Sequence, residues 1–156
     1  MNPELIGLPA FTAIGLEAEG NACTATQWIP PLWGKLMSRL GEFSHLEIRG
    51  CWGLMSASDT FLAPWVEQGR YLAAFEVPRG TEAFGEWRVW NIPASSWLRT
   101  PFLIREYDVA MKGVHEWLGQ NPQWQITGAT HESYPPSFKD PQTDQLFLYV
   151  PVCPKS

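Results

Sequence analysis

The sequence predicts an α+β domain. Two tandem strand-helix-strand-strand modules form an antiparallel sheet with two helices, and a ligand cleft lies between the modules. Three observations predict it. The chain nears its end in QLFLYVPV, Gln145 to Val152, which is apolar and aromatic almost throughout. About seventy residues earlier YLAAFEVP, Tyr71 to Pro78, echoes it and ends in the same Val-Pro. Helical patterns precede both runs at nearly the same offset. Laying Val77-Pro78 on Val150-Pro151 pairs Phe75 with Leu148 and Glu76 with Tyr149. Strand side chains alternate between faces. Leu146, Leu148 and Val150 therefore point one way, and Phe147 and Tyr149 the other. The matching face of the first copy carries Leu72, Ala74 and Glu76. With the copies side by side, a carboxylate and aromatic rings face one shared cleft.

The elements follow in order. PAFTAIGLEAEG, Pro9 to Gly20, reads as a short strand ending in a Gly-rich turn, and Asn21 to Gln27 as a loop. Ile29, Leu32, Trp33, Leu36, Met37 and Leu40 form one apolar stripe, which predicts a helix from about Ile29 to Leu40. Pro30 and Pro31 suit its first turn, where a missing amide costs nothing, and Gly41 is its stop. His45 to Ser56 alternates and reads as a strand, with Gly50 and Gly53 marking a bend or bulge. Ser58 to Gln68 is a loop holding Phe61 and Trp65, and the first echo strand follows.

Pro78 to Gly85 connects the copies, giving one domain with repeat halves of about 1–80 and 81–156. Glu86 to Leu98 reads as a strand broken by Pro93. Leu103, Tyr107, Ala110, Met111, Val114, Trp117 and Leu118 predict a helix from about Phe102 to Leu118. A shift of 74 lays Ile29 on Leu103, Trp33 on Tyr107, Met37 on Met111 and Leu40 on Val114. Trp124 to Tyr134 is the third segment, and Pro135 to Asp144 a polar loop before the closing strand. No third long helix is expected.

Composition narrows the function. The formal net charge is −5, and the 11 Lys and Arg residues form no cluster, so nucleic acid has no electrostatic footprint here. No apolar run has the length of a membrane span, and no basic-then-apolar leader opens the chain. Three widely spaced cysteines, Cys23, Cys51 and Cys153, fit a reduced cytoplasmic protein better than a disulfide framework or a zinc site. Nine tryptophans stand where ordinary usage gives roughly two or three. A core this size does not comfortably hide nine, so the surplus argues for an aromatic-lined pocket or a partner surface.

Catalytic patterns are thin. The histidines are His45, His115 and His131, with no HExxH, Cys-x-x-Cys or G-x-S-x-G. Cys51 has no evident base beside it. No metal site, cofactor or catalytic set is expected, although His131, Glu132 and Glu76 are able to do acid-base work on a reactive ligand.

NIPASSW after the midpoint, HESY, and the closing LYVPV resemble the GyrI-like effector-binding domain. That family includes the ligand-sensing part of BmrR-type and some AraC-type regulators, and integron-cassette proteins that bind cationic drugs. The resemblance spans nearly the whole chain. It implies a ligand cleft between two tandem modules. Tyr149 matches a family Tyr two residues before the final Pro, while the family's acidic position two before that Tyr is Phe147 here. Glu132 and Tyr134 match the Glu-x-Tyr of the penultimate strand. Trp97 stands where an aromatic follows the Ile-Pro-small segment. Family regulators add a DNA-binding segment for which 156 residues leave no room, so no direct contact with nucleic acid is expected.

The expected function is a cytoplasmic, free-standing binder of a hydrophobic, aromatic, cationic ligand. Ring faces attract the cation and a carboxylate in a semi-dry pocket orients it. The candidate contacts are Glu76, Glu132, Tyr149, Phe147, Trp97, Trp90 and Tyr134. Each has a plainer reading: Glu76 as a solvated side chain on an edge strand, Glu132 as a strand-end acceptor, the aromatics as core. Trp33 and Trp117 lie on helix stripes and read as core. A hydrolase of the same fold acting on strained electrophilic molecules is the alternative, since some GyrI-like proteins open cyclopropane-bearing compounds. A gyrase-inhibitor-like protein-binding module is the third reading. A homodimer or a transcription-regulator partner is compatible with the resemblance.

Overall fold

Residues 2–57 and 62–156 are described by the structure, a computed structural model. Phe61, placed by the sequence in the loop with Trp65, lies outside the described residues. Within them the chain forms β1 (Glu4–Leu8), β2 (Phe11–Asn21), α1 (Ala25–Ser38), β3 (Gly50–Ala57), β4 (Gln68–Val77), β5 (Arg88–Ile92), β6 (Ser95–Phe102), α2 (Tyr107–Gln120), β7 (Trp124–Ile126), β8 (His131–Tyr134) and β9 (Leu146–Pro154). All the strands belong to one sheet, in the order β1-β6-β9-β8-β3-β4-β2-β5, with β7 beside β9. Every pairing is antiparallel. This is the α+β class expected, with no third α-helix among the described residues.

The centre of the sheet is the β3–β8 pair, where Cys51 faces Tyr134 and Gly53 faces Glu132. Cys51 also faces Phe75 on β4, and Glu132 faces Leu148 on β9. Relating the two sides through that central pair lays Phe75 on Leu148 and Glu76 on Tyr149. That is the register read from the echoed strands. The leading strands are exchanged, which the sequence reading missed. β1 pairs with β6 and β5 pairs with β2, so Glu86 to Leu98 is two strands rather than one broken strand. Pro9-Ala10 links β1 to β2, and Pro93-Ala94 links β5 to β6, each crossing from one side of the sheet to the other. Links this short hold the two edges near one another, so the sheet curls. Proline suits both crossings, where there is no ladder bond to lose.

Curling explains why the strands are apolar on both faces. The outer face carries the helices: Leu36 of α1 packs with Ile14, Tyr71, Ala73 and Phe75, while Ala110 and Val114 of α2 pack with Leu98, Leu148 and Val150. The inner face closes on Trp52, Leu54, Leu72, Trp90, Trp97 and Tyr149.

Several boundaries depart from the sequence reading. The Asn21 side chain accepts from the Cys23 amide and opens a 3-10 turn over Ala22–Thr24, so α1 begins at Ala25 instead of Ile29. Pro30 and Pro31 therefore lie inside the helix, not in its first turn. The carbonyls they leave unbonded belong to Thr26 and Gln27, which are exposed to water. Leu103 precedes α2 whereas Ile29 lies within α1, so the shift of 74 does not relate the helices. The stretch between α1 and β3 holds a 3-10 turn, Leu40–Phe43, where the stretch between α2 and β8 holds the short strand β7. Gly53 marks no bulge: it pairs with Ala73 on one side and Glu132 on the other. β9 runs on through Pro151 to Pro154, past the Val152 at which the apolar run ends. The Pro151 carbonyl accepts from the Thr127 amide, and its missing amide faces the same side, where the ladder is interrupted between β7 and β8.

Candidate functional site

Glu132 and Tyr134 are two residues apart on β8 and so share a face, the one covered by the helices. Tyr71, on the helix-facing side of β4, donates its hydroxyl to Glu132 Oε1 at 3.2 Å, and Tyr134 donates to the same oxygen at 3.2 Å. From α1, Trp33 Nε1 donates to Tyr71 Oη at 2.9 Å. That contact occupies an acceptor lone pair of Tyr71 and leaves its own proton directed at the carboxyl group. The Trp33 ring meets Tyr134 edge-on at 4.9 Å, and Tyr134 meets Phe138 edge-on at 5.1 Å. Tyr71 is fully buried; Trp33, Glu132, Tyr134 and Phe138 are half-buried. The carboxyl group thus lies among aromatic rings on the helix-covered face, where the α1 and α2 clusters come together.

Gly53 makes room for this arrangement. A Cβ there would stand 2.0 Å from Tyr71 Oη and 3.0 Å from Glu132 Oε1. Among the described residues no Lys, Arg or His pairs with Glu132. Burial raises its pKa from 4.5 to about 7, with the hydrogen bonds from Tyr134 and Tyr71 pulling the other way. Burial likewise pushes Tyr71, Tyr134 and the nearby Cys51 thiol upward.

The other five sequence candidates lie through the sheet, on the inner face. Trp52 Nε1 donates to Glu76 Oε1 at 2.8 Å, and the Trp52 ring is held between Phe11 at 4.8 Å and Tyr149 at 4.9 Å. Trp97 lies 6.0 Å from Tyr149 and 5.3 Å from the buried His131. Trp90 Nε1 donates to Glu17 at 2.7 Å, and Phe147 is half-buried beneath Arg99. Trp97, Trp90 and Tyr149 are only 2%, 4% and 7% exposed. One cleft shared by all seven residues is therefore not what the structure builds. The two-face reading of β4 and β9 holds, but Glu132 faces away from Glu76. Nor is Glu76 on an edge strand, because β4 lies between β3 and β2.

Tyr71, Trp33, Gly53 and Phe138 were missed. Tyr71 opens the echoed strand one step out of phase with Leu72, a signal the alternation already held. Trp33 sits on its helix stripe, and only its bond to Tyr71 distinguishes it from core.

Two surface hollows of about 530 and 690 Å³ lie elsewhere, one at the two crossovers and one along α2. Neither is lined by Glu132 or by any buried charge. Among the described residues no group of three His, Cys, Asp or Glu side chains is placed to hold a metal, and no helix is long and apolar enough to cross a membrane.

No family model and no curated protein matches the sequence. Solved structures do match. The chain is similar to SAV2435 bound to tetraphenylphosphonium, with 17% identity, a TM-score of 0.69, and 98% of this chain and 94% of that one covered. It is similar to the C-terminal domain of EcmrR, with 14% identity, a TM-score of 0.67, and coverage of 99% and 98%. It is also similar to a hydrolase encoded by lin2189 from Listeria innocua, with 12% identity, a TM-score of 0.62, and coverage of 97% and 92%. At such identities the likeness is one of fold. The resemblance drawn from NIPASSW, HESY and LYVPV is consistent with that fold.

Proposed function

We propose that this protein binds hydrophobic, aromatic, cationic small molecules in the groove between α1 and α2, with the Glu132 carboxylate as counter-ion. One observation carries the reading. A carboxyl group lies among Trp33, Tyr71, Tyr134 and Phe138 with no cationic side chain among the described residues to pair it. An unpaired charge in such surroundings is costly, and a cation held against ring faces offsets that cost. Likeness in fold to a protein bound to tetraphenylphosphonium and to a C-terminal domain of EcmrR supports it. In this reading the whole chain is one effector-binding unit, its halves of about 1–80 and 81–156 joined at the β3–β8 seam and through the exchanged strands β1 and β5. Of the seven sequence candidates, Glu132 and Tyr134 contact the ligand, and Glu76, Phe147, Tyr149, Trp97 and Trp90 build the fold.

The test compares tetraphenylphosphonium with tetraphenylborate, of the same shape and opposite charge, by thermal shift and tryptophan quenching. The cation stabilises the protein by about 2.7 kcal/mol at a hundredfold excess over its dissociation constant. Equal binding of both ions means that the groove does not read charge.

A second reading has its own observation. Burial holds Glu132 near neutrality beside two phenols, as acid-base catalysis needs, and a hydrolase shares the fold. Turnover of strained, electrophilic ring compounds, lost in Glu132→Gln, distinguishes the enzyme from the binder.

A further inference from the structure

The two oxygens of Glu132 are not equivalent. Tyr71 and Tyr134 both direct their hydroxyls at Oε1. Oε2 takes no donor from the described residues and is not sealed from solvent. An acid so placed has its carbonyl oxygen at Oε1 and carries its proton on Oε2. Resting on the reading above, we propose that the groove exchanges a proton for its ligand: the Oε2 proton is held in the empty protein, and a permanently charged organic cation displaces it on binding. The O–H bond breaks, its proton passes to water or buffer, and the carboxylate left behind pairs with the cation. Both phenol hydrogen bonds stay on Oε1. The groove is neutral before and after, so no bare charge is held in its low-dielectric surroundings at either stage.

The other groups around the carboxyl do not titrate in its place. β3 contributes Gly53 and Cys51, β4 Tyr71, α1 Trp33, β8 Tyr134, and the loop after it Phe138. Cys51, Tyr71 and Tyr134 are raised by burial and stay neutral through the physiological range. His131 precedes Glu132 but faces inward, and burial lowers it to about 4, so it too is neutral there. Lys35 on α1, Asp108 and Lys112 on α2, and Lys139 and Asp140 after Phe138 are exposed to solvent. Burial lifts Glu132 itself to about 7, which puts the exchange near neutral pH. Affinity for a permanent cation then rises about tenfold per pH unit below pH 7 and levels off above it.

Isothermal titration of tetraphenylphosphonium, in buffers of different protonation enthalpy, counts the protons released. The expected release is about 0.9 per cation at pH 6 and about 0.1 at pH 8. Binding with no release at either pH overturns the exchange and leaves the binding reading intact. No binding at either pH overturns the binding reading itself. E132Q removes the release, and release that persists in it assigns the proton to another group and sinks the proposal. Should E132Q bind too weakly to titrate, Y71F decides. It takes one donor from Oε1 and moves the carboxyl pKa up, so release at pH 8 exceeds that of the parent protein; no increase overturns the proposal.

Discussion

Glu76 and Glu132 lie on opposite faces of one curled sheet, each accepting from aromatic donors, and the contrast between their surroundings separates architecture from site. Trp52, the donor to Glu76, is itself held between Phe11 and Tyr149. Around Glu132 the rings of Trp33, Tyr134 and Phe138 are half-buried and one carboxyl oxygen takes no donor from the described residues. Nearly the same residue types serve both faces. What differs is how much of each ring is already used up in packing, and a site needs surface left over.

The largest expected effect tests that difference through two tryptophans. Trp97→Ala empties a fully enclosed indole volume and costs about 3–5 kcal/mol of stability. Its indole N–H has no partner among the described residues, which places the loss toward the lower end. Trp33→Ala removes a half-buried ring, costs less stability, and weakens cation binding. Urea denaturation with fluorescence titration of both variants checks this; equal stability losses erase the contrast between the faces.

Next comes charge. Glu132→Gln keeps the shape of the side chain and lowers cation affinity by about 2–5 kcal/mol, the range for one partner of a desolvated pair. Glu76→Gln leaves affinity within about 1 kcal/mol, because the inner face never meets the ligand. A reversed order moves the site to the inner face.

Gly53→Ala sharpens the comparison from the backbone. The new Cβ stands 2.0 Å from Tyr71 Oη, so the hydroxyl must leave Glu132 or the strand must shift. We expect a stability loss of about 1–3 kcal/mol, the range for overpacking, together with weaker cation binding. The double variant with Tyr71→Phe recovers part of the stability by removing the clashing oxygen. No recovery places the strain at the Tyr71 ring carbon, 2.7 Å from the new Cβ, rather than at its oxygen.

Much of this was legible in the residues. The Val-Pro echo set the register of β4 on β9, and strand alternation sorted Glu76, Phe147 and Tyr149 onto one face. Alternation carries no label for which face the helices cover, and that is where the single cleft went wrong. Local pattern also did not show the strand exchange. β1 and β5 are short segments whose partners lie across the sheet, so nothing next to them in the chain announces the pairing. Asn21 as a cap shifted α1 back past its prolines, against the expectation that Pro opens a helix.

The last prediction is a slope, and it sets the two faces against each other through neighbouring residues. His131 points inward, accepting from the Met55 amide on Nδ1, while Glu132 points to the groove. Burial raises Glu132 from 4.5 to about 7, so its contribution to stability is fully present below 4.5 and lost as pH rises through 7. Burial lowers His131 from 6.5 to about 4, so its contribution is present above 6.5 and lost as pH falls through 4. Between those unfolded values, 4.5 and 6.5, the slopes oppose, each at about 1.4 kcal/mol per pH unit, and this pair leaves the profile of the parent protein nearly flat. Glu132→Gln unmasks the histidine, and stability then rises from pH 5 to pH 6. His131→Asn, which keeps an acceptor for Met55, unmasks the carboxyl group, and stability falls over the same interval. Urea midpoints at the two pH values read both signs. If both variants stay as flat as the parent, burial does not shift these two groups, and the faces differ in packing alone.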